Sequence, residues 1–140
     1  MKTITKLISS AFLATSVCAS TMANDLNVTF KHIEKHEGNL MVALYNSEAN
    51  YQGQGKPVQV AAIPALNEKV TYTFENLAGG TYAIKLFHDS NSNGKMDTNM
   101  FGIPKEGYGF SNNVGKFGEP EFTEASFEVL SESSIEIIVR

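Results

Sequence analysis

Apolar residues fall on every second position in one short run after another, and that period leaves few folds open to this chain. Leu26, Val28 and Phe30 alternate with Asn27, Thr29 and Lys31, the pattern of a strand with one buried face. Val70, Tyr72 and Phe74 alternate with Thr71, Thr73 and Glu75, and Ala125, Phe127 and Val129 alternate with Ser126, Glu128 and Leu130. Ile135, Ile137 and Val139 close the series. Leu40 to Tyr45 is apolar on both faces, as a central strand requires. Val58 and Val60 open a shorter strand that stops near Pro64, and the turn Leu77-Ala78-Gly79-Gly80 leads into another over Thr81 to Phe87. No stretch holds a helical period; one helical turn fits near Ser47 to Tyr51.

Seven strands with turn signals between them predict an all-β chain: a single antiparallel β-sandwich of about seven strands, immunoglobulin-like or prealbumin-like in size. The sandwich is expected over 24–140, room enough for one ordinary domain. Asn46 to Lys56 reads as a polar surface loop. Asp89 to Pro120 is a long loop with little alternation, and loops of that length are uncommon in compact domains unless functional or tied down.

That loop opens on the run Asp89-Ser90-Asn91-Ser92-Asn93-Gly94-Lys95-Met96-Asp97. Oxygen-bearing side chains on alternate positions, then a glycine for the sharp bend, then another carboxylate, follow the order of a calcium-binding loop. Asp89, Asn91 and Asn93 take the first, third and fifth positions, Lys95 offers its backbone carbonyl at the seventh, and Asp97 takes the ninth. Met100 stands where an EF-hand closes with a bidentate glutamate, and no helices flank the run, so this is an EF-like loop on a β scaffold. Its last oxygens must come from elsewhere, with Asn99 and Glu106 the nearest candidates. Two carboxylates and two amides suit weak, structural calcium binding; zinc lacks its nitrogen and sulfur ligands. The same residues also build plain Asx-turns.

The N-terminus reads as a signal peptide over 1–23. Lys2 and Lys6 form a positive region, Leu7 to Val17 an uncharged and mostly apolar one, and Thr21-Met22-Ala23 a cleavage site, with Ala19 or Ser20 as alternatives. The apolar run is short for a bilayer core of about 30 Å. The residues before Cys18 lack the leucine and the small neighbour expected of a lipoprotein. A periplasmic or secreted protein with no membrane span after signal removal is expected. The lone cysteine, Cys18, would leave with the signal. With 15 acidic residues against 11 basic ones and a net charge of −4, nucleic acid is excluded as a natural partner, because phosphate binding needs a basic surface.

Phe74-Glu75-Asn76-Leu77-Ala78-Gly79-Gly80-Thr81-Tyr82-Ala83-Ile84, then Phe87-His88-Asp89 and the asparagine-rich loop, then Phe101-Gly102-Ile103-Pro104-Lys105-Glu106-Gly107-Tyr108-Gly109-Phe110-Ser111-Asn112-Asn113 resemble a family of small exported bacterial proteins with a domain of unknown function. The resemblance covers the chain beyond the signal and implies an exported β-sandwich; it implies no activity. More loosely, F-x-N-L-x-x-G-x-Y resembles a segment of prealbumin-like modules in bacterial surface proteins, some of which carry similar calcium loops.

Two classes of function are left. A binding module for a protein or carbohydrate partner would use the loop aromatics Phe101, Tyr108, Phe110 and Phe117, unless these pin the loop to the core. A hydrolase-type enzyme would use His88 with Glu106 as the base and Ser111 as nucleophile. Ser111 has no nucleophile-elbow motif around it. His88 is in phase with Tyr82, Ile84 and Leu86, which predicts a partly buried side chain bonded to loop backbone. The binding module is the reading that fits better.

Overall fold

A computed structural model describes residues 22–140; the expected signal peptide lies almost wholly outside them. Eight strands form: β1 (Asn24–Lys31), β2 (Asn39–Tyr45), β3 (Gln59–Pro64), β4 (Val70–Leu77), β5 (Gly80–Asp89), β6 (Tyr108–Phe110), β7 (Phe127–Val129) and β8 (Ser133–Ile138). Two single α-helical turns interrupt them, α1 (Glu48–Tyr51) and α2 (Phe122–Ala125), together with a 3-10 turn at Ser111–Asn113. The Ser47 side chain caps α1 by accepting from Asn50 N–H. Among the described residues, no helix is long and apolar enough to cross a membrane.

The chain is all-β and its strands make two sheets, in the orders β4-β1-β8 and β3-β2-β5-β6, with β7 also pairing β5. The inward residues of the alternating runs meet between them: Leu26, Val28 and Phe30 from β1, Leu40, Val42 and Leu44 from β2, Ile84 and Leu86 from β5, and Ile137 from β8, all buried. The alternation therefore reports the core correctly.

Two details depart from the expected antiparallel sandwich of about seven strands. First, β1 and β8 pair in parallel, Leu26 opposite Ser133 and Phe30 opposite Ile137. After pairing β5 of the larger sheet as β7, the chain crosses to the smaller one, and a crossover, unlike a hairpin, permits parallel pairing. Second, β6 is an extra strand inside the long loop, pairing Tyr108 with Phe87 and Phe110 with Lys85. Ala125, expected in a strand, closes α2 instead, where Glu121 and Glu124 form a capping box.

Chain beyond β8 bridges the two sheets. Val139 N–H donates to the carbonyl of Lys31, while Arg140 and Tyr108 exchange both backbone hydrogen bonds at 2.9 Å. Gly109 makes the approach possible: a Cβ there would lie 2.8 Å from the Ile138 carbonyl oxygen and 3.2 Å from Ile137 Cγ2. Gly107 is similarly pressed, against Val139.

Candidate functional site

The oxygen-rich run folds into a closed loop at the end of β5. Asp89, only 3% exposed, accepts from Asn93 N–H at 3.0 Å and from Gly94 N–H at 2.8 Å. The bend between them needs Gly94, whose φ is 80°. Asn91 and Asn93 both reach Asp97, donating to its two carboxylate oxygens at 2.5 and 2.9 Å. Those amides, with Lys95 and Lys105 nearby, hold the Asp97 carboxyl below the ordinary carboxylate range. Lys95 contributes its N–H, to Asn93 Oδ1 at 3.1 Å.

Four predicted ligand side chains thus gather at one place. Among the described residues no three His, Cys, Asp or Glu side chains group as metal ligands; the oxygens here come from two carboxylates and two amides. That donor set fits a hard cation such as calcium and not a soft one. Rotating either amide about its terminal bond would present oxygen where nitrogen now stands.

The two candidate closing ligands are engaged differently. Glu106 braces the loop's neck, Oε1 accepting from Ser90 N–H and Oε2 from Asp97 N–H, both at 3.0 Å. Asn99 Oδ1 accepts from Phe101 and Ile103 N–H and shapes a small hairpin bridged at Thr98 and Pro104.

The residues of the hydrolase reading do not assemble. His88 and Glu106 line a small cleft of about 300 Å³ that Ser111 does not reach. His88 Nε2 lies 2.7 Å from the Glu37 carbonyl oxygen, the backbone contact its phase predicts. Ser111 is fully buried; its Oγ accepts from Ile84 N–H at 2.9 Å and donates to the Ala125 carbonyl.

The four loop aromatics divide. Phe110 is buried and stacks edge-on against half-buried Tyr108, so this pair pins β6. Phe101 and Phe117 are 80% and 97% exposed. Phe117 overhangs a feature the sequence did not announce, a groove of about 900 Å³ on the outer face of the larger sheet.

Cross-strand registry builds the groove's floor. One row runs Ala62, Met41, Phe87, Tyr108 and the next Val60, Ala43, Lys85, Phe110. The other half of this face is covered, because Tyr51 of α1 and Ala125 of α2 pack over Ala83 with Tyr45 and Phe122. Met96, Ile103 and Pro104 and, further along the chain, Phe117 to Glu119 complete its lining. Lys85 and Glu119 are the only charged residues among its described lining, and they pair with each other.

The family model described as an uncharacterized protein conserved in bacteria (DUF2141) matches residues 28–137. The chain belongs to this family. The DUF2141 match spans both sheets, the oxygen-rich loop and the groove, and it bears out the resemblance read from the two sequence motifs. Comparison of this DUF2141 member with curated proteins and with solved structures gave no match.

The groove was missed because half of its floor came disguised. β2 is apolar on both faces, which reads as a central strand. It is one, between β3 and β5, and its outward residues, Met41 and Ala43, also line a cavity. The usable signal was Lys85, a charge set between Ile84 and Leu86 within the otherwise apolar stretch from Tyr82 to Phe87.

Proposed function

We propose that this protein is an exported binding module that takes an apolar ligand in the groove of the larger sheet, with a structural calcium ion held by the Asp89–Asp97 loop beside it. The groove carries the reading. It has the volume and apolar lining usual for small-molecule sites, and it leaves Val60, Ile103 and Phe117 more than half exposed. Carbohydrate fits it poorly, since sugar hydroxyls entering so apolar a lining would lose water without regaining hydrogen bonds. Export rests on the N-terminal pattern and on the resemblance to small exported proteins. Calcium rests on the donor set of Asp89, Asn91, Asn93 and Asp97; Met96 sits inside that loop and also lines the groove, so an ordered loop keeps one wall in place.

Thermal unfolding tests the calcium. An ion that binds only the native state stabilises it by RT ln(1 + [L]/Kd), about 1.4 kcal/mol at ten times Kd, so millimolar calcium should raise the Tm. Asp89→Asn with Asp97→Asn should abolish the rise, and no rise in the parent protein would refute the ion. For the groove, Ala43→Arg places a long side chain on the floor of an outward face. It should preserve the fold and end the binding of an environment-sensitive apolar dye; unchanged dye binding would refute the groove.

A further inference from the structure

Lys85 is hard to explain as part of a plain apolar floor. Its row neighbours are Ala43 and Phe110, and its side chain is only 21% exposed. Desolvating an ammonium is costly unless it is paired and hydrogen-bonded. Three fixed contacts hold it: the Tyr51 carbonyl oxygen at 2.6 Å, the Tyr51 ring with its centroid at 3.9 Å and the Tyr45 ring at 5.4 Å. None of these supplies a negative charge. Among the described residues its one ion-pair partner is Glu119, whose side chain is 55% exposed and lies outside the strands and helices. Half of the ammonium's environment is therefore built into the fold, and the other half stands on a surface segment at the groove's rim.

We propose, building on the groove reading above, that the ligand is an anionic amphiphile of the fatty-acid class, its chain along the floor and its carboxylate on Lys85 Nζ in the place Glu119 holds. The chemistry is complementary on both counts. The floor of Met41, Ala43, Phe87 and Val60 offers dispersion contacts and few polar partners, as an alkyl chain needs. A single pre-positioned cation suits a single head group, and a ligand carboxylate brings its own apolar body, which Glu119 lacks. A lining that adds loop residues Met96, Ile103 and Phe117 to the sheet floor favours a monomeric amphiphile over a flat bilayer surface.

The test compares sodium decanoate with decanol by calorimetry, both as monomers, with calcium present below the level that precipitates decanoate. Decanoate should bind about tenfold more tightly, equivalent to about 1.4 kcal/mol. Glu119→Gln should strengthen decanoate severalfold and leave decanol unchanged, because it removes the competing carboxylate from an exposed position. Lys85→Gln should erase the difference between the two probes. A merely structural ion pair would make Glu119→Gln neutral or harmful to decanoate binding, and that result would overturn the proposal. Equal binding of the two probes by the parent would overturn it while leaving an apolar groove in place; binding of neither would remove both readings. Association with phosphatidylglycerol vesicles but not with decanoate, or a dimer that Ala43→Arg dissociates without any amphiphile bound, would also overturn it.

Discussion

At Ser111 one hydroxyl stands in for a missing rung of the sheet. β7 pairs β5 over Gly80–Tyr82 and β6 pairs it over Lys85–Phe87; Ile84 falls in the gap between, and Ser111 Oγ accepts its N–H. Ser111→Ala would leave that N–H and the Ala125 carbonyl without this partner, at a cost of about 1–3 kcal/mol, measurable by urea denaturation. Buried tyrosines set the alkaline limit. Burial pushes the hydroxyls of Tyr51, Tyr45 and Tyr82 above their ordinary value, with Glu119 adding to the effect at the first two. A pKa raised on folding gives stability that is complete below the unfolded value of about 10 and is lost as pH climbs toward the folded values. Stability should therefore fall above about pH 10, and the ultraviolet tyrosinate signal should rise with unfolding. Unfolding that stays independent of pH up to 11, roughly a unit past the free tyrosine value, would contradict this.

Among the elements, those with a full alternating period were legible, β1, β4 and β8 above all, since period two follows from which face is buried. The helical turn at Glu48–Tyr51 falls where one turn was expected, near Ser47 to Tyr51. β6 was not, because Tyr108-Gly109-Phe110 has too little length for a period and its glycine reads as a breaker. The glycine is there for the neighbour, chain crossing from the other sheet. Gly109→Ala must push its Cβ into the Ile138 carbonyl, a backbone atom with little freedom to yield. A loss of about 1–3 kcal/mol is expected, seen as a lower Tm, whereas Gly53→Ala, with open space around its Cβ, meets only the cost of its positive φ.

For the molecule as a whole, local chemistry showed through the sequence and assembled surfaces did not. Asp89, Asn91, Asn93 and Asp97 are close in sequence and meet in space. The groove draws on β2, β3, β5, β6 and two loops, and its rows exist only once the registers are set. Glu106 lay between these cases: it is near the loop, but its position as a brace on Ser90 and Asp97 depends on how the chain returns to β6.

The pairing of β1 also bears on the order in which the protein can fold. β1 is the central strand of its sheet, yet its parallel neighbour β8 lies about a hundred residues later, so that sheet cannot be completed before Ser133–Ile138 has been made. Contacts so distant in sequence slow folding, because the connecting loop must close before they form. Under the export proposed above, that delay would serve threading through a membrane as an extended polypeptide: translocation could begin before the strand that locks the sandwich has paired.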